Sequence, residues 1–191
     1  MWGNFIGHAD IDLIAAAVLY VNDCWEPAHY HAQQAVEKYI KALAIAIADP
    51  DGTSTYEEHK SWCEGWAGHD LVKLATRCGV ADPYYTEPAT TAVLEKVQEW
   101  STATRYPWVE TEHYRKSMYD LREIEPIVRQ VRGVDLPLVR DDYWLSIVVR
   151  GRHHLPPHEP VLNRGGWQDV RKRQLDALNA VFSDVRAFVR W

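Results

Sequence analysis

Apolar positions after Pro27 recur at steps of three and four: Ala28, Ala32, Ala35, Val36, Tyr39, Leu43, Ala46 and Ile47. That period predicts an amphipathic helix over about 27–48, with a first-turn proline and the turn sequence Asp49-Pro50-Asp51-Gly52 behind it. A second row, His29, Gln33, Glu37 and Lys41, steps by four and shares one flank of the same helix. On the pattern alone this row is expected to be a solvated face; the alternative is a face that does chemistry.

The same reasoning lays out the rest of the chain. A first helix is predicted over about 9–21, with Asp10 and Asp12 in its first turn favouring the helix dipole. Its buried stripe is expected to be Ile11, Ile14, Ala15, Val18 and Leu19. Residues 50–67 read as a loop, with Trp62 and Trp66 as an interface or stacking surface. A short helix starts at His69 or Asp70, with His69 packing the bundle, and runs to Arg77 before Gly79 as a left-handed cap. Further helices are predicted over about 88–102 and 111–132. The second is interrupted by Pro126 and turns Tyr114, Met118, Leu121, Val128 and Val131 inward. The apolar run Tyr143–Val149 fits either strand or helix. A proline-rich loop, 151–166, precedes a last helix over about 167–189, packed through Leu175, Leu178, Phe182, Val185 and Val189. The expected fold class is therefore all-α: an antiparallel up-and-down bundle of four to five helices over 1–133. An extension, 134–191, adds a loop and a long helix packed on the bundle.

Composition narrows the setting. The chain has 191 residues, 47% of them hydrophobic, enough for one domain with a real core plus an extension. It holds no run of about eighteen apolar residues, so no membrane span is expected. The first fourteen residues hold Asp10 and Asp12 and no Lys or Arg, unlike a signal peptide. Cys24, Cys63 and Cys78 are far apart, which argues against a disulfide framework and for a cytoplasmic location. The net charge of −6 is unevenly spread: residues 140–191 carry nine basic and six acidic side chains, a balance of +3, which leaves −9 elsewhere. An anionic partner would then meet the C-terminal part, unless that balance is ordinary surface.

Three short elements carry a resemblance. Gln34, Ala35, Glu37, Lys38, Lys41 and Ala42 form a Gln-Ala-x-Glu-Lys-x-x-Lys-Ala core; His69-Asp70-Leu71 with Leu74 follows about thirty residues later; Arg105-Tyr106-Pro107 comes third. In this order, over roughly residues 8–132, the chain resembles the HEPN (higher eukaryotes and prokaryotes nucleotide-binding) domain family, with an unrecognised C-terminal extension. The resemblance implies a small helical bundle associated with RNA or nucleotides. It also implies, for some members, a metal-independent ribonuclease that works as a homodimer.

Such a ribonuclease needs an Arg, a polar residue and a His a few positions on. The RNA 2′-hydroxyl is the nucleophile, a His near neutral pKa moves its proton, and an Arg fork meets the charge building on the phosphate. Two candidate pairs exist. Arg105 and His113 have seven residues between them, longer than the family spacing, with Pro107 in the intervening turn. Arg152 and His158 have five between them and a polar His153 after the Arg, but lie outside the resembling stretch. The departures incline the reading toward weak or absent catalysis. His153, Arg171, Lys172, Arg173 and Lys41 are the expected contacts to RNA or nucleotide. The three cations of 171–173 open the last helix, where they oppose its dipole unless an anion or solvent screens them. The group His153, His154, His158 and Glu159 is read as a surface loop rather than a metal site, and no cofactor is expected.

The leading expectation is thus a HEPN-type protein binding RNA or a nucleotide, as a homodimer, in a toxin–antitoxin or phage-defence module. If it is an enzyme, it is a metal-independent endoribonuclease. The alternative is a non-catalytic helical scaffold or the partner subunit of a nucleotidyltransferase-like antitoxin protein.

Overall fold

The computed structural model describes residues 5–66, 68–105, 120–134, 145, 148–149 and 166–188. Its helices are α1 (Phe5–Val21), α2 (Trp25–Ala48), α3 (Tyr56–Trp66), α4 (Leu71–Cys78), α5 (Pro88–Arg105), α6 (Glu125–Gly133) and α7 (Gly166–Val181). Short 3-10 turns cover Pro83–Thr86, Leu121–Ile124 and Val185–Phe188. The fold is all-α, and no strand occurs among the described residues.

The long helix α2 is the organising element: α1, α4, α5 and α6 all pack against it. Three residues, Asn22, Asp23 and Cys24, join α1 to α2, which makes the two antiparallel neighbours. Asp23 adopts φ 59, a left-handed conformation that Asp tolerates. Buried small residues line both helices, Ala9, Ala16 and Ala17 on α1 and Ala28, Ala32, Ala35 and Ala42 on α2, so the backbones can approach closely. Trp100 of α5 is the largest of the fully buried side chains, and Leu71, Leu74 and Leu94 join the same core.

Helix α7 lies along α1, and Leu145, Val148, Leu178, Phe182, Val185 and Phe188 share one core with the bundle. Polar bonds fasten this C-terminal part. The Glu125 carboxylate accepts from the Ser183 backbone N–H at 3.0 Å and from its hydroxyl at 2.5 Å. Arg132 Nε donates to the Phe188 carbonyl at 2.9 Å. Its Nη1 lies 3.7 Å from the Asp10 carboxylate, which also accepts from the Tyr39 hydroxyl at 2.6 Å and the Leu145 N–H at 3.3 Å. Asp10 has no exposed surface. Burial, and then the Asp10 charge, push the Tyr39 hydroxyl well above its ordinary range, so it remains a donor.

Several expectations are corrected. Helix α1 begins at Phe5, so Asp10 and Asp12 lie beyond its first turn and are buried partners rather than dipole charges. Its buried face is Ile6, Ala9, Asp10, Leu13, Ile14 and Ala17, while Ile11 is 40% exposed. The segment read as a loop over 50–67 contains α3. A capping box starts it: the Thr55 N–H donates to Glu58 Oε2 at 2.7 Å and the Glu58 N–H to Thr55 Oγ1 at 3.4 Å. Gly79 has φ −60 rather than a left-handed conformation. Its reason is space, since an added Cβ would stand 2.3 Å from Thr86 Cγ2. Asp120 caps a separate 3-10 turn and Pro126 sits in the first turn of α6, so Pro126 opens a helix rather than kinking one. Tyr114 and Met118 lie outside the described residues. Helix α7 ends at Val181, where Glu125 takes the Ser183 N–H, and Val189 lies outside the described residues.

Removing the carboxylate that joins α1, α2, α6 and residue 145 leaves Arg132 and Tyr39 buried without it. Asp10→Ala is expected to cost about 3–5 kcal/mol. Asp120→Ala, at an exposed cap, is expected to cost about 1 kcal/mol. Urea unfolding of the two variants checks the ranking.

Candidate functional site

The polar row of α2 is buried, not solvated. His29 and Gln33 have no exposed surface, Glu37 has 4% and Lys41 has 9%. The two ends of the row differ in character. At the His29 end the ring packs 4.9 Å from that of Trp100 and 6.3 Å from that of Tyr20. At the other end the groups are ionic, because α2 there meets α3 and the start of α4.

Glu37 is the hub. Its Oε1 accepts from Lys41 Nζ at 2.7 Å and from His69 Nδ1 at 2.9 Å; its Oε2 accepts from Gln33 Nε2 at 3.0 Å. Gln34 Nε2 in turn donates to Gln33 Oε1 at 2.6 Å, which fixes the direction of the Gln33 amide. An unpaired carboxylate at this depth would cost several kcal/mol, and three donors offset that. Burial pushes the Glu37 carboxyl up. The hydrogen bond and charge of Lys41, with the bonds from Gln33 and His69, outweigh burial and hold it below the ordinary glutamate range.

His69 reaches Glu37 from the far side. Gly68 turns the chain just before it at φ 59, a conformation costly for a residue with a Cβ. Just after it, Asp70 caps α4 by accepting from the Lys73 N–H at 3.0 Å, and Gln98 of α5 accepts from the Leu71 N–H at 2.8 Å. The backbone on both sides of His69 is thus set, yet its side chain is 64% exposed. The expectation that His69 packs the bundle is corrected: it leans on a buried carboxylate from the surface. An ionised carboxylate only accepts, so Nδ1 carries the hydrogen, and in the neutral ring Nε2 is the outward acceptor. Cys63 of α3 closes the buried side. Burial raises its thiol, with the Lys41 charge acting in the opposite direction.

Two more charged clusters flank the bundle without joining this one. Asp12, on the other flank of α2, bonds His31 Nδ1 at 2.8 Å and the Lys38 ammonium. Asp49, after α2, bonds His59 Nε2 at 2.9 Å and the Thr53 and Ser54 N–H groups at 3.0 Å each, tying α3 to the end of α2.

Of the residues singled out from sequence, Lys41 is in the cluster. Arg105 is the last residue of α5, and only its backbone is described. His113, Arg152, His153 and His158 lie outside the described residues, as do His154 and Glu159. Arg171, Lys172 and Arg173 lie on α7, beyond its first turn, which carries Asp169. The anticipated clash with the dipole therefore does not arise there. Lys172 pairs with Asp176 at 2.7 Å, and Arg173 Nε donates to the Asp169 carbonyl at 3.3 Å. Among the described residues no hydrogen bond or ion pair joins these three to Lys41, and no group of three or more His, Cys, Asp or Glu is placed to hold a metal. Trp62 is on α3, half-buried, its ring 5.3 Å from that of His59. Sequence reasoning missed Cys63 and the outward role of His69. The signal available was the Glu37–Lys41 spacing of four, which suits an ion pair.

Residues 4–56 match the HEPN domain family model. This agrees with the resemblance read from the Gln-Glu-Lys core, and the C-terminal extension lies outside the match. The match suggests a nucleotide- or RNA-related function at the level of the family. No curated protein and no solved structure matches the chain. No helix among the described residues is long and apolar enough to cross a membrane.

The depressed Glu37 carboxyl fixes a pH dependence. A folded-state value below the unfolded one, about 4.3, contributes stability that is complete above the unfolded value and disappears as pH falls through the folded one. Glu37→Gln is expected to lose about 3 kcal/mol at neutral pH. Chemical denaturation across pH should show the gap between parent and variant closing below about pH 4.

Proposed function

We propose that this chain is a HEPN-type protein that binds RNA or a nucleotide, and that the Glu37–Lys41–His69 cluster is part of the binding face. The observation carrying this reading is that the polar row inside the HEPN match is buried and ends in a half-open ionic site. Unlike the closed Asp10 cluster, this one has a partner at the surface, since the His69 side chain is 64% exposed. Lys41 keeps N–H donors beyond the one given to Glu37, and His69 presents a ring nitrogen outward. The Lys41 donors suit phosphate oxygens, and the outward nitrogen of the His69 ring does so once it carries a proton.

Within this proposal the nuclease form uses Arg105 with His113, or Arg152 with His158, to cut RNA by transesterification without a metal. The products would be a 2′,3′-cyclic phosphate and a 5′-hydroxyl. Homodimerisation, a cytoplasmic location, a toxin–antitoxin or phage-defence setting and a nucleotidyltransferase-like partner belong to the same proposal. So do the division into a bundle over 1–133 with an extension over 134–191 and the contacts from His153, Arg171, Lys172 and Arg173.

Incubation of purified protein with single-stranded RNA in EDTA tests it. Salt-dependent RNA retention is expected, with the salt slope reduced by about one in Lys41→Gln. Cutting lost in His113→Ala selects the first pair, and cutting lost in His158→Ala the second. Absence of RNA or nucleotide binding under every condition, with a stable co-purifying protein, would replace this reading with a helical scaffold.

A further inference from the structure

At the ionic end of the α2 row two titratable groups, Lys41 and His69, meet one carboxylate, Glu37. Glu37 and Lys41 cancel each other, so with a neutral His69 the cluster offers no net charge to an anion. Protonation of His69 changes that count to one positive charge without breaking the bond that orients the ring, because Nδ1 already donates to Glu37. The added proton goes to Nε2, on the exposed side of a side chain with 64% of its surface open.

We propose that this site takes up one phosphodiester group of single-stranded RNA together with one proton, and that His69 is the residue receiving the proton. The proposal rests on the RNA-binding reading above and adds the charge state of the ligand and the coupling. A phosphodiester carries a single negative charge, which the protonated site balances. A phosphomonoester dianion would exceed it and would also meet the Glu37 carboxylate at close range. The change is one proton taken from the buffer acid onto Nε2, forming an N–H bond and leaving the buffer's conjugate base, and the phosphate oxygens then accept from Nε2–H and from Lys41 Nζ.

Charged and polar groups face His69 from each of the elements packed around it. On α4, Asp70 and Lys73 pair with each other at 2.9 Å. On α3, the Cys63 thiol is raised by burial and stays protonated, and Glu64 is exposed. On α5, Gln98 is neutral and engaged with the Leu71 N–H, while Glu95, one turn away, is exposed. On α2, Glu37 is held below its ordinary range and is ionised throughout. The indirect role of Glu37 is that of a positioning residue: it selects the tautomer and orients the ring.

Fluorescence anisotropy with a rhodamine-labelled single-stranded RNA lacking terminal phosphates, from about pH 5.5 to about pH 8, reads the coupling. Affinity is expected to weaken by up to about tenfold per pH unit above the histidine range. His69→Gln, whose side-chain amide can still donate to Glu37, is expected to bind weakly at every pH with a flat profile. Inorganic phosphate, a dianion at the upper end of the range, is expected to compete poorly there. An unchanged pH profile in His69→Gln, or a flat profile in the parent, overturns the proposal and leaves RNA binding standing. Failure of both proteins to bind RNA at any pH overturns the RNA-binding reading as well.

Discussion

One buried carboxylate on α2 sets the arrangement around it. Glu37 is too deep to rely on water, so it must be met by donors, and the chain supplies them from three directions. Gln33 comes from one turn before, Lys41 from one turn after, and His69 from the turn into α4. Each donor constrains something larger. Lys41 brings a second charge below the surface beside Cys63 of α3, and His69 ties the turn into α4 to α2. The site is therefore not laid over a finished bundle. Breaking the carboxylate's contacts would loosen the junction of α2, α3 and α4 that gives the site its shape.

A second buried acid, Asp10, does for the opposite side of α2 what Glu37 does for this one. It meets Tyr39 of α2, Arg132 of α6 and the backbone of Leu145. Arg132 continues to the carbonyl of Phe188. Here the polar atoms all point inward and none faces solvent, which suits a structural clamp. At Glu37 one partner is exposed, which suits exchange with a ligand. The contrast between two buried carboxylates, one closed and one half-open, locates the candidate site more sharply than burial alone.

Much of this was legible in the sequence. The apolar period of α2 gives its length to within two residues at the start, because twenty-odd residues of regular spacing leave little choice. The all-α class follows from the same period elsewhere. The face of α1 was misplaced because Asp10 points inward, and a hydrophobicity pattern assigns any aspartate to the outside. The helix α3 was missed because its apolar positions are few and its start is signalled by Thr55 and Glu58 rather than by periodicity. The polar row of α2 was visible as a row, but its burial was not. Burial there depends on elements such as α4 and α5 packing on α2 from far along the chain, and no local spacing encodes that meeting.

The central claim is that Glu37 holds His69 by Nδ1 and leaves Nε2 facing outward to a ligand. Long-range nitrogen–proton correlation spectra of 15N-histidine-labelled protein report this directly, with His69→Gln assigning the ring. On this account a hydrogen is expected on Nδ1, with a change at Nε2 when single-stranded RNA is added. A ring carrying its hydrogen on Nε2, with both nitrogens indifferent to RNA, would contradict it.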